Sequence, residues 1–262
     1  MIGAAKPGSV QIRSLPASTG AAWLRDGWRL LKRQPLGLSA MVVMYTFVLL
    51  VPATIPFPYV GIALLGILSP FATVGLMAAF REVAAARVPS PGVFARAVQD
   101  ATVRRALFKL GLIHGGLMIL VNALAQLIIG PQPVSTDQEP LTLESLHLAD
   151  FVVFALFYTP VMTVMWFAPL LAGWHGLDVG KAMFGSAVAC WRNKGALLVY
   201  GFLMTCILVG VTLVTMAVLG AFMSAQTLAL LAAPIGLALT TYVQASFYPM
   251  YRSIFAEEPA AA

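Results

Sequence analysis

Residues Leu197–Leu219 read LLVYGFLMTCILVGVTLVTMAVL, a run without a single charged side chain. As a helix this run would extend roughly 34 Å, enough to cross the roughly 30 Å of hydrocarbon in a bilayer. Five further stretches share its character: Leu36–Ile55, Tyr59–Phe80, Leu110–Ile129, Phe151–Gly173 and Thr227–Tyr251. Open strands would leave backbone groups bare in lipid, and barrel strands would be shorter and alternate in polarity. An all-α polytopic membrane protein with six transmembrane helices is therefore predicted. The composition agrees: 60% of the 262 residues are apolar and 10% are charged, against about 25% charged in a soluble domain. Such a chain could neither cover a water-facing surface with polar groups nor remain disordered.

The sixteen Lys and Arg residues segregate along the chain. Six, from Lys6 to Arg33, precede the first span. Six, from Arg81 to Lys109, lie between spans two and three. Lys181, Arg192 and Lys194 lie between spans four and five, and Arg252 follows span six. The loop Gly130–Asp150 carries Asp137, Glu139, Glu144 and Asp150 with no basic residue. Basic loops stay on the cytoplasmic side, so both termini are expected there. The first apolar run begins only at Leu36, behind a basic cluster, which suits a retained span rather than a cleaved leader.

Each outward-going span is expected to follow an amphipathic helix lying at the cytoplasmic interface, so that the six spans form three hairpins. With Thr19 as N-cap, Ala21–Arg33 places Trp23, Leu24, Trp28, Leu30 and Leu31 on one side. Arg25, Arg29, Lys32 and Arg33 fall on the other, where they are candidate contacts for anionic lipid headgroups. A second such helix is predicted after Ser90-Pro91, with Phe94, Val98 and Ala101 on one face. A third is predicted from Asp178, with Met183, Phe184, Ala187 and Trp191 together; its Lys181 and Arg192 are further headgroup candidates. The similarity of Ser69-Pro70-Phe71-Ala72-Thr73-Val74 to Thr159-Pro160-Val161-Met162-Thr163-Val164 points to three tandem units, 19–81, 90–174 and 178–252. Together they make one membrane domain, 19–252, flanked by a flexible N-terminal segment, 1–18, and a short tail, 253–262.

Polar residues inside spans are where function would show. His114, Asn122 and Gln126, with Met118 between them, step by four along span three, and Gln244 lies in span six. These four are the candidate lining of a polar cavity. The alternative is ordinary interhelical hydrogen bonding, worth about 0.6–2 kcal/mol per contact. No carboxylate lies inside a span, which disfavours proton- or ion-coupled transport. No phosphate cradle, paired-histidine motif or cysteine pair at metal spacing occurs, so no catalytic centre, metal or cofactor is expected. The inner cluster Trp174, His175, Asp178, Lys181 and Arg192 reads either as a grip on a lipid phosphate or as an interfacial belt. A nucleic-acid partner is not expected, because the cations are spread along the bilayer face.

The run Ala22-Trp23-Leu24-Arg25-Asp26-Gly27-Trp28-Arg29-Leu30-Leu31-Lys32-Arg33-Gln34-Pro35, the Ser69-Pro70 turn, and Ala189-Cys190-Trp191-Arg192-Asn193 resemble an uncharacterised family of proteobacterial inner-membrane proteins over about residues 15–255. The layout is also loosely similar to the membrane domain that accompanies some glycerophosphodiester phosphodiesterases, without their catalytic domain. The resemblance implies a bacterial cytoplasmic membrane and assigns no functional residues. The expected role is a scaffold or accessory protein acting through membrane lipids or a membrane-protein partner. The alternatives are a facilitative transporter of a neutral or amphiphilic solute and a lipid-modifying enzyme at the inner interface.

Overall fold

The computed structural model describes residues 10–130, 148–220 and 223–255, and these are helical with no strand among them. The acidic loop, including His147, falls largely outside the described residues. Ten helices follow in order: α1 (Thr19–Arg33), α2 (Pro35–Leu50), α3 (Pro58–Ala84), α4 (Gly92–Ala97), α5 (Ala101–Ile129), α6 (Leu148–Met165), α7 (Ala168–His175), α8 (Val179–Arg192), α9 (Lys194–Gly220) and α10 (Ala225–Ile254). Five stretches are long and apolar enough to span a bilayer: Tyr59–Ala84, Ala101–Ile129, Ala155–His175, Lys194–Val218 and Leu230–Ile254. A sixth is reached if α1 and α2 are counted together, but they meet at 105°. At that angle α1 lies nearly flat when α2 stands upright. The turn falls at Gln34, before Pro35, because a residue ahead of proline is pushed out of the helical region.

Two compact units can be separated, one drawing on Met1–Phe47, Ala72–Asp100 and Val188–Ala262, the other on Val48–Phe71 and Ala101–Ala187. In the first unit α1 is the centre. Gly20, Trp23, Leu24, Gly27, Leu30 and Leu31 are buried along one stripe, against α9 and α10. A Cβ on Gly20 would strike the Ala196 carbonyl and come within 2.7 Å of Tyr200 N; one on Gly27 would stand 2.6 Å from Ser246 Cα. Glycine at these two positions is what lets the three backbones touch. The chain ahead of α1 is tied down as well. Asn193, buried between α8 and α9, accepts from Leu15 N and donates to the carbonyls of Arg13 and Ala189, each at 2.9 Å. Arg13 N donates to the Ile254 carbonyl at the end of α10.

In the second unit α3 and α5 cross just as closely. Gly66 faces the backbone of Gly115, and a Cβ on Gly111 would stand 2.6 Å from Ile67 Cα. The long span Ala155–His175 is broken at Trp166–Phe167, between α6 and α7, where Pro169 in the first turn of α7 lacks an amide donor. Ser186 of α8 mends the break: its hydroxyl donates to the Thr163 carbonyl (2.8 Å) and accepts from Phe167 N (3.0 Å).

Two local expectations differ from the structure. Thr19 is the first residue of α1 rather than its cap, and Ser18 before it makes no side-chain cap bond. The helix expected after Ser90-Pro91 is a short piece, α4; the chain breaks at Val98–Asp100, and Ala101 begins α5. On α8 the stripe Ala182, Ser186 and Ala189, continued by Asn193, is buried in protein, and Phe184 (72% exposed) and Trp191 (71%) of the expected apolar face point outward. In lipid, large apolar side chains need no protein cover, and small or polar ones gain most from close helix contact.

Candidate functional site

α1 has two distinct faces, and both can be derived from its spacing. The stripe Gly20, Trp23/Leu24, Gly27, Leu30/Leu31 repeats every three and four residues and meets protein. Trp23 is 1% exposed, and its indole Nε1 donates to Ser253 Oγ at 2.7 Å. The opposite face carries Arg25, Arg29 and Lys32 at four- and three-residue steps, with Trp28 on the flank between the two faces, all exposed. Arg29 pairs with Asp26 at 3.1 Å, a surface contact worth about 0–1 kcal/mol. Lys32 Nζ stands 6.0 Å from the Trp28 ring centroid. Arg33 is exposed but directed to the chain, donating to the Ala84 carbonyl at 3.1 Å. Of the four cations expected to meet headgroups, Arg25, Arg29 and Lys32 thus form one shelf.

α8 repeats the arrangement in outline. Lys181 and Arg192 are exposed; eleven residues apart, they fall on the same side of the helix, about three turns from each other. Lys194 Nζ sits 4.4 Å from the Trp191 ring centroid. A cation over an exposed indole suits a polar–apolar boundary, where the ammonium stays wet and the ring stays in hydrocarbon. Asp178 acts locally: its carboxylate accepts from Gly180 N at 3.3 Å, capping α8.

The four polar residues of the spans have separate surroundings. Asn122 and Gln126 bond to each other at 2.7 Å, with Gln126 exposed. His114 Nδ1 lies 2.9 Å from Ser69 Oγ. The Ser69 hydroxyl also donates to the Gly66 carbonyl at 3.1 Å, the group that Pro70 leaves without its helical donor. If the serine proton is used there, Nδ1 of His114 is the donor of that contact; its Nε2 is buried with no hydrogen-bond partner among the described residues. Gln244 is half-buried on α10, in the other unit from these three.

Ser69, Ser186 and Asn193 serve as structural hydroxyl and amide groups that helical spacing by itself does not single out. The signal available for Ser69 was its place beside Pro70. For Ser186 and Asn193 it was a small-residue stripe at steps of four, three and four on α8.

No family model matches the chain, and no solved structure matches it. It is 30% identical over 264 residues to a protein of Burkholderia thailandensis named "Probable inner membrane protein", an alignment that covers 96% of this chain and 97% of the relative. Long apolar helices with basic ends fit that description on physical grounds. The chain therefore belongs to the family of that inner membrane protein.

Proposed function

We propose that the protein is a lipid-engaging scaffold of the inner membrane, with six spans, both termini in the cytoplasm, and α1 lying along the inner headgroup layer. The observation that carries this reading is the division of α1: one face held by α9 and α10, the other presenting Arg25, Arg29 and Lys32 outward. A nearly right-angled turn into α2 and the one-sided distribution of cations support it. Each Lys or Arg near an anionic surface contributes about 1 kcal/mol of attraction, so a shelf of three or four would enrich anionic lipid several-fold around the protein. The scaffold needs no chemistry of its own: it would hold lipid or a neighbouring membrane protein in place.

Topology and lipid preference can be tested separately. In a background with Cys190 and Cys206 replaced, cysteine at position 29 or 192 should resist an impermeant thiol reagent added from the periplasm, and cysteine at 139 should react. The reverse pattern would overturn the orientation. For lipid, the protein is purified from membranes containing phosphatidylglycerol and phosphatidylethanolamine. Substituting Arg25, Arg29, Lys32 and Arg33 together by alanine should abolish enrichment of phosphatidylglycerol in the retained lipid. Unchanged enrichment would reject the headgroup reading.

A further inference from the structure

An apolar groove opens between α9 and α10 above α1, with a cavity volume of about 590 Å³, within the range of about 300–1,000 Å³ common to small-molecule pockets. Ile207 and Val211 form the α9 wall; Pro234 and Ala238 form the α10 wall. Trp28 and Tyr242 close one end, their rings meeting edge to face at 5.8 Å. The Tyr242 hydroxyl donates to the Leu24 carbonyl at 3.2 Å, so it is already used and the groove presents hydrocarbon. Trp28 keeps half of its surface open, and the Lys32 ammonium stands 6.0 Å from its ring centroid.

An apolar slot that ends at a cationic shelf matches an amphiphile with a hydrocarbon tail and an anionic head. The dimensions favour one occupant in particular. Tyr242 and Pro234 are eight residues apart on α10, roughly 12 Å along the axis. Half of the hydrocarbon thickness is roughly 15 Å. The groove thus runs about the depth of one leaflet, with its closed end on the side of α10 that carries Arg252.

We propose that this groove is a binding site for one acyl chain of an anionic phospholipid of the cytoplasmic leaflet, with the phosphate beside Lys32. The inference rests on the lipid-engaging reading above and adds a defined site to it. Solvating lipid would touch every outward apolar face alike; a site retains one molecule against exchange and prefers one headgroup.

The test uses the full chain in nanodiscs of mixed phosphatidylglycerol and phosphatidylcholine. One lipid or the other carries a photoreactive diazirine near the end of its chain, and adducts are mapped by mass spectrometry. The phosphatidylglycerol probe should label Val211, Pro234 and Ala238 several-fold above Phe202 and Leu213, which are exposed on α9 outside the groove. The phosphatidylcholine probe should show no such preference. Ala238→Trp should fill the groove and reduce its labelling to the level at Leu213. Ala238→Leu, with a melting temperature matching the parent, provides the same reading if the larger side chain disturbs folding. Lys32→Ala should erase the preference between headgroups.

Even labelling around α9 and α10, or groove labelling unaffected by both Ala238 variants, would overturn the site. So would copy-to-copy cross-links through the groove, which would make a second copy the occupant. If the four-alanine variant of α1 loses phosphatidylglycerol enrichment while the parent shows no groove adducts, the site fails and the scaffold reading stands. Groove adducts equal for both lipids and unchanged in that variant would reject the headgroup reading and the anionic assignment together.

Discussion

Trp23, in the first helix, gives its indole proton to Ser253, near the end of the last, over 2.7 Å. The serine hydroxyl in turn donates to the Met250 carbonyl at 2.9 Å, so its one proton is committed and the indole is the donor that completes it. The Trp23 ring also meets Tyr200 of α9 edge to face at 6.1 Å. One side chain thus joins three helices within a single unit. Trp23→Phe keeps an aromatic ring against Tyr200 but deletes the bond to Ser253. A net hydrogen bond contributes about 0.5–1.5 kcal/mol, and interhelical bonds in membranes average about 0.6 kcal/mol. The variant should lower the unfolding free energy in detergent by about 1 kcal/mol. Trp23→Ala should cost about 3–5 kcal/mol through the cavity. Equal losses for the two variants in a denaturation series would contradict this division between hydrogen bond and packing.

The two glycines of α1 lead to a sharper expectation. Gly27→Ala places a methyl group within 2.6–2.8 Å of backbone and Cβ atoms of Ser246, and Gly20→Ala drives one into the Ala196 carbonyl. Neither obstacle is the tip of a flexible side chain, so α1 must move away from α9 or α10. Overpacking costs about 1–3 kcal/mol, with the larger value expected where backbone meets backbone. Gly236 on α10 is exposed and has open space where its Cβ would lie. Gly236→Ala should therefore be neutral or stabilising, since alanine is the better helix former by about 1 kcal/mol. Thermal unfolding of the three variants in one detergent checks the order: Gly236→Ala at or above the parent, and both α1 variants well below it.

Five of the six expected spans were legible in the sequence because a long segment without charge has few places to go but hydrocarbon; for the first, Leu36–Ile55, the α-helix ends at Leu50 and falls short of a span by itself. Leu197–Leu219 and Leu110–Ile129 fall inside α9 and α5 as expected. The faces of α1 were legible for a different reason. Its cations need water, and their positions fix which side is left for protein. The identity of that apolar cover was not legible from polarity alone, because lipid and protein interiors are equally apolar. Gly20 and Gly27, seven residues apart within the apolar stripe, were the available sign that a backbone lies there. On α8 polarity singled out Phe184 and Trp191, which stay outward where lipid can cover them, but it gave no sign that Ala182, Ser186 and Ala189, continued by Asn193, form the face that packs on protein. The break at Trp166–Phe167 was hinted at by Pro169, but its repair by Ser186, nineteen residues later in the chain, is tertiary information. The candidate cavity residues had the right spacing for a shared face, but spacing carries nothing about neighbours. Asn122 turned to Gln126, and His114 turned to Ser69.

Ser186 offers the most direct test of how the broken span holds together. Its hydroxyl serves two backbone groups on either side of the break: it donates to the Thr163 carbonyl and accepts from the Phe167 amide. The residue is fully buried, so neither water nor lipid headgroup can substitute for it. Ser186→Ala removes both bonds with almost no change in volume. Losing a partner in a dry interior costs about 1–3 kcal/mol per group, so a destabilisation of about 2–4 kcal/mol is expected. Ser186→Cys, which retains a weaker donor and acceptor, should recover part of it. The local signature distinguishes this account from general loosening. Hydrogen exchange at the Phe167 amide should accelerate in Ser186→Ala far more than exchange at Leu170 and Leu171, whose amides donate to the Phe167 carbonyl within α7. Acceleration spread evenly over α6 and α7 would mean that the serine stabilises the unit without holding the break, and protection unchanged at Phe167 would mean that the break satisfies itself.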